Sequence, residues 1–244
     1  MNKKIRIGAV SYLNTKPLLL GFNKNDWNII EEYPALLAQK LLTNEIDIGL
    51  VPVAVLPLLK EYYIISDYCI GAEDKVESVA IFSEVEMDKI ETVMLDYQSR
   101  TSVNLAKVLL KFHWKKEVIF KEAKEDFRNH IKGTTAAVVI GDRALEQIAI
   151  STYYYDLAKT WKDFTGLPFV FAAWVSNKPI DTDFIDAFNA ATGYGVNHLE
   201  EVLANNNFDH YSLRKYYTKC ISYPLTAEKK KGLDLFLSYL KEIN

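Results

Sequence analysis

Along the first half of the chain, short apolar runs alternate with stretches in which apolar residues recur every three or four positions. Residues 5–10, 27–32 and 46–51 read as strands. Residues 34–42 read as a helix, because Leu36, Leu37, Leu41 and Leu42 fall on one stripe. Pro17 opens a short predicted helix through residue 22, and Pro52, directly after the third strand, suits the first position of another through residue 59. An extended segment follows at 63–65. After residues 78–83 the alternation resumes, with strands at 92–95, 117–120 and 136–140 and helices over 102–112, 124–131 and 143–149. Strand and helix in turn imply a mostly parallel sheet with helices on its faces.

Two such units joined through SVAIFS predict two lobes rather than one sheet. Beyond a further apolar run at 167–175, the last quarter reads as helices over 183–198, 199–205, 212–217 and 227–243. The predicted fold is therefore α/β, a two-lobe clamp crossed twice by the chain, near 78–88 and 165–176, with a helical C-terminal region. Residues 1–83 plus 176–244 are assigned to lobe I and 84–175 to lobe II. A ligand would sit in the cleft where the strand ends of the two lobes face each other.

Composition narrows the choice of ligand more than the choice of fold. With 244 residues, 49% hydrophobic and 25% charged, the chain is ordinary for a soluble globular protein, which excludes collagen, coiled coil and disorder. Its net charge of -3 gives no general field for nucleic acid or an anionic membrane, so an anionic ligand must be caught locally. Cys69 and Cys220, far apart in sequence, read as reduced thiols. The apolar run of the basic opening is cut by Arg6 and ends at Ser11, and no stretch approaches the roughly 20 apolar residues of a membrane span. A cytoplasmic protein is expected.

His113, His130, His198 and His210 show no ligand spacing, and no phosphate-binding glycine loop or nucleophile elbow is present, so neither metal nor cofactor is expected. What remains are polar groups at strand ends. Ser11 to Thr15 follow the first strand, and there Asn14 either caps the next helix or offers its amide to a ligand as donor and acceptor. Ser99, Arg100, Thr101 and Ser102 lie between a strand and a helix, where hydroxyls and free N–H groups form an anion site and Arg100 adds a fork for a carboxylate. The alternative for each hydroxyl is simple capping. At the next strand end Gly141 permits close approach of a ligand, and Asp142 serves as cap or contact. Ser78 stands in the first crossover.

Taken in order, IGAVSYLNTKPL (7–18), EIDIGLVPV (45–53), DYCIGA (67–72), VESVAIFS (76–83), LDYQSRTSVNLAKVLL (95–110), AAVVIGDRAL (136–145) and TGLPFVFAAWV (165–175) resemble the chorismate dehydratase family of the futalosine route to menaquinone. The resemblance spans about 170 residues; the helical tail fits in character rather than by motif. It implies a type II periplasmic-binding-protein fold and elimination of water from chorismate, a dicarboxylate, to give 3-[(1-carboxyvinyl)oxy]benzoate. It places the family's strand-end asparagine at Asn14, its substrate-facing crossover serine at Ser78 and its SRTS turn at Ser99 to Ser102; with the strand-end reading, Asn14 and Ser78 are the expected catalytic residues, and Ser11, Ser99 to Ser102, Gly141 and Asp142 the expected substrate contacts. The sister dihydroxynaphthoate synthases share the fold, but their catalytic histidine falls where this chain has Gly141. A non-catalytic carboxylate-binding protein of the same fold is the other alternative. Nucleic acid and membrane are not expected as partners.

Overall fold

The computed structural model describes residues 5–23 and 26–243; the basic opening, residues 1–4, lies outside them. Eleven strands form two mixed sheets among the described residues. The first is built from β1 (Arg6–Val10), β2 (Asn28–Glu32), β3 (Ile48–Pro52), β4 (Tyr63–Ala72), β10 (Phe169–Ser176) and β11 (Ser222–Pro224), in the order β11-β4-β10-β3-β1-β2. The second contains β5 (Val79–Ser83), β6 (Thr92–Leu95), β7 (Ile119–Glu122), β8 (Thr135–Ile140) and β9 (Tyr153–Asp156), in the order β7-β6-β8-β5-β9. No helix among the described residues is long and apolar enough to cross a membrane.

Each sheet is parallel only in part. β1 runs parallel to β2 and β3, as β6 does to β7 and β8, and these are the strands joined by right-sized helical connections. The strands that enter from the other lobe, β10 in the first sheet and β5 in the second, pair antiparallel to their neighbours. The lobe boundaries shift accordingly: β5, assigned from sequence to lobe I, belongs to the second sheet, and β10, assigned mostly to lobe II, belongs to the first. Both strands are buried along their whole length. A run that is apolar on both faces announces a strand without saying which sheet receives it.

Local chemistry explains where helices form and fail. Pro34 starts the helix Pro34–Leu42, which buries Leu37, Ala38 and Leu41 and stops before Asn44 in a left-handed turn. Residues 53–58 form a 3₁₀ stretch instead of the expected α-helix, because Pro57 inside it has no N–H to give. The helix expected over 124–131 is absent apart from the turn Arg128–His130; Asp126 accepts the Arg128 N–H and offers the backbone a turn instead. Three elements were not anticipated: β9, the helix Leu157–Thr165 that follows it, and the short edge strand β11.

The two crossovers, residues 73–78 and 157–168, are tied together by one carboxylate. Asp156 Oδ2 accepts from the N–H groups of Val76 (3.0 Å) and Glu77 (2.6 Å), while Oδ1 caps the helix Leu157–Thr165 through Lys159 N (3.0 Å). Burial pushes this carboxyl up to about 6 against the pull of the three donors. Glu77 is held with φ +61, a left-handed conformation that costs a non-glycine residue about 1–2 kcal/mol. Its side chain is buried between Lys75 at 2.6 Å and Lys215 at 3.3 Å. Asp156→Ala would strand two buried N–H groups and uncap a helix, so a loss of roughly 2–4 kcal/mol in urea unfolding is expected. A variant with the wild-type unfolding midpoint would contradict this account of the hinge.

Candidate functional site

Between the sheets lies a cavity lined by residues of both lobes. One wall is apolar: Val10, Pro34, Pro52, Ile70, Phe171 and Ala172 come from the first lobe, with Ile140 opposite. Its polar groups are Tyr12, Asn14, Ser78, Ser99, Thr101 and Ser102. Among the described residues no charged side chain lines it, and no group of three His, Cys, Asp or Glu stands ready for a metal.

Asn14 sits in the 3₁₀ turn Leu13–Thr15 directly after β1 and is 9% exposed. Its side chain caps no helix end; Oδ1 instead accepts from Thr15 Oγ1 at 3.3 Å. Ser78 is buried at the mouth of β5, its carbonyl accepting from Gly141 N at 2.8 Å and its hydroxyl accepting from Tyr216 at 2.7 Å. The crossover serine and the strand-end asparagine thus meet on one cavity, although 64 positions separate them in sequence.

The SRTS turn divides its labour. Ser99 Oγ accepts from Ser102 N at 3.1 Å, which is the capping role. Thr101 Oγ1 accepts from Ala54 N at 3.2 Å and so joins the lobes. Ser102 lines the cavity, and its hydroxyl has no hydrogen-bond partner among the described residues. Arg100 is exposed and lies off the cavity wall, because the first turn of the helix Thr101–Val108 points it away from the cleft. Ser11 is likewise exposed and outside the cavity; its N–H prolongs the pairing of β1 through Glu32 O. Neither of these two lines the cavity.

Gly141 lines the cavity at φ +64, with the Tyr12 ring 3.3 Å from the position a Cβ would take. Asp142 stands behind that wall rather than in it, and its Oδ1 accepts from Leu13 N at 3.3 Å across the cleft. Tyr12 makes a second latch, donating to Gln98 Oε1 at 2.5 Å. Gln98 is held in turn by Arg143, which also binds Asp96 at 2.7 Å. Together with Ala54 and Thr101, these contacts hold the lobes in a closed arrangement. Burial raises the Tyr12 phenol well above its ordinary range, so it remains a donor at any neutral pH.

Sequence reasoning missed the tyrosines of the C-terminal segment. Tyr216 donates to Ser78, Tyr217 to the Leu13 carbonyl at 3.1 Å and Tyr223 to the Asn14 carbonyl at 3.0 Å. The signal was the density of tyrosine between 211 and 223, where period alone reads only as one more amphipathic helix.

Comparisons with known proteins bear on the family and the fold. A family model described as menaquinone biosynthesis matches residues 5–242. A Thermus thermophilus protein named chorismate dehydratase is 26% identical over 257 residues, covering 96% of this chain and 94% of its own. A Campylobacter jejuni protein of the same name is 26% identical over 251 residues, covering 97% and 98%. Among solved structures, an Archaeoglobus fulgidus protein superposes with TM-score 0.75 at 13% identity, covering 98% of this chain and 96% of that one. A Candida albicans protein described as having the generic periplasmic binding protein fold gives 0.60 at 13% identity, covering 98% and 94%. The fold is periplasmic-binding-protein-like.

The Asp142 latch carries a pH signature. Burial raises its carboxyl from 3.8 to about 6, so the folded protein binds this proton more tightly than the unfolded chain does. The stabilisation that results is full below about pH 3.8 and is lost as pH rises through about 6. Asp142→Asn is neutral throughout and keeps it. The variant should therefore match wild type near pH 4 and exceed it by roughly 1–3 kcal/mol near pH 7.5 in urea unfolding. A difference independent of pH would contradict the assignment.

Proposed function

Because the chain belongs to the menaquinone biosynthesis family, we propose that it is a hydro-lyase acting on chorismate, with 3-[(1-carboxyvinyl)oxy]benzoate as product. The observation that carries the reading is the cavity itself: neutral, apolar on one wall, and supplied with an amide and hydroxyls but, among the described residues, with no side-chain carboxylate, imidazole or amine. Such a site suits a reaction whose substrate brings its own charge and its own base.

In the dehydration, the ring carbon bearing the enolpyruvyl ether loses its proton, the neighbouring carbon loses its hydroxyl, and the new double bond makes the ring aromatic. The carboxylate of the enolpyruvyl arm, folded back over the ring, takes the proton and can return it to the departing hydroxide as water leaves. Atoms and charge then balance with no group from the protein. The chain's contribution is position and hydrogen bonding. Asn14 orients the arm through its amide, and Ser78 donates to the departing oxygen. The N-terminal end of the helix Thr101–Val108, with the unpartnered Ser102 hydroxyl, receives a substrate carboxylate at the positive end of the helix dipole. Excluding water from a closed cleft strengthens each of these contacts.

The direct test is incubation of the purified protein with chorismate, read by mass for loss of one water; unchanged chorismate would overturn the proposal. Two sets of variants probe the roles. Asn14→Ala should lower turnover by roughly 10²-fold or more while product still binds, since orientation is lost and the reacting pair is intact. Asn14→Asp should be impaired as well, because a second anion beside the substrate carboxylate repels it; a faster Asn14→Asp would mean that a protein base can replace the substrate's own. Ser102→Ala should weaken product affinity about tenfold or more with little change in kcat, whereas exposed Arg100→Ala should change neither. Equal losses in both would return the anion site to Arg100.

A further inference from the structure

The tyrosine that reaches Ser78 from the far end of the chain has a direction built into its hydrogen bonds. Tyr216 is fully buried and does not line the cavity, and its hydroxyl donates to Ser78 Oγ at 2.7 Å. Its single proton therefore lies on Ser78. A serine hydroxyl has one proton and two lone pairs. With one lone pair taken by Tyr216, and with no other partner for Oγ among the described residues, the Ser78 proton is left for the cavity.

We propose that Tyr216 is a positioning residue of the elimination: by donating to Ser78 Oγ it turns the Ser78 O–H toward the departing hydroxyl of the substrate. The proposal rests on the reading of the site as a chorismate dehydratase. It adds a directed chain, Tyr216 to Ser78 to substrate, in which the serine assigned to the chemistry is set by a residue from the far end of the chain. Tyr216 touches no substrate atom and transfers no proton. Burial keeps its phenol protonated far above its ordinary value, so the chain keeps one direction across any assay range. The segment that presents it is anchored independently of the ligand. Tyr217 and Tyr223 grip the backbone of the Leu13–Asn14 turn, and buried Lys229 ties down the strand that follows through the Ser222 and Pro224 carbonyls.

The test is a double-mutant cycle on the full chain with chorismate. Tyr216→Phe keeps the ring and removes only the hydroxyl, so it should lower kcat about 10- to 100-fold while KM and product affinity move less than threefold. Ser78→Ala should lower kcat at least as much, and adding Tyr216→Phe to it should cost nothing further, because a residue that acts only through Ser78 has nothing left to direct. Independent, multiplying losses would overturn the role, as would a Tyr216→Phe enzyme with wild-type kcat. A fall in melting temperature with unchanged kcat would mark Tyr216 as purely structural and also overturn it. Wild-type protein that leaves chorismate intact would overturn the proposed function and this role together, so the two failures are told apart by the wild-type control.

Discussion

Three backbone N–H groups converge on the Asp156 carboxylate, and the geometry of the cavity depends on that convergence. A two-lobe clamp needs its crossing strands fixed relative to one another, and hydrophobic contact alone does not set direction. By accepting from Val76 and Glu77 on one crossover and capping the helix of the other, Asp156 holds Glu77 in a left-handed turn that the chain would otherwise avoid. That turn aims Ser78 inward, where its carbonyl meets Gly141 and its hydroxyl meets Tyr216. The charged pair around Glu77 and Lys75 stays outside the cavity, so the strained turn delivers a neutral hydroxyl without bringing its neighbours' charge.

Neutrality is what suits the site to the proposed substrate, a dianion folded onto itself. A lysine or arginine on the wall would hold an arm carboxylate in an ion pair and lower its basicity; an aspartate would repel it. Hydroxyls, an amide and a helix end stabilise negative charge without fixing it to one counter-ion. The charges that do approach the cleft are employed elsewhere. Asp96 and Arg143 support Gln98 under the Tyr12 latch, and Asp142 receives the Leu13 N–H from behind the wall. The lobes are joined by hydrogen bonds, and the ion pair of Asp96 and Arg143 supports one of them from within the second lobe without lining the cavity.

The fold was legible wherever a local rule was sufficient. The helix Pro34–Leu42 has the expected bounds, set by its proline start and the turn residue beyond it, although Leu36 of the expected stripe is exposed and Ala38 is buried in its place. β5 and β10 were legible as strands but not as members of a sheet, because burial on both faces erases the alternation that would give sides. The helix Leu157–Thr165 escapes the sequence reading although its Asp156 cap, its left-handed Gly166 stop and its periodic apolar positions Leu157, Ala158 and Trp161 are all in the sequence. At the site, the Asn14, Ser78 and SRTS positions came from strand ends and from resemblance, and the structure brings Asn14, Ser78 and Ser102 to one cavity. Arg100 and Ser11 point elsewhere, a matter of helix phase and strand register that composition does not reveal. Tyr216 was illegible because its partner is 138 residues away.

The central claim is that the substrate supplies the base, and it is tested most directly by a chorismate analogue whose enolpyruvyl carboxylate is replaced by the uncharged amide. Competition against the benzoate product would show that the analogue occupies the cavity. Under this account the bound analogue is not dehydrated, while chorismate under the same conditions loses water. An analogue that binds and is converted at a rate comparable to chorismate would contradict it, and would require a base from the protein that the neutral wall does not provide.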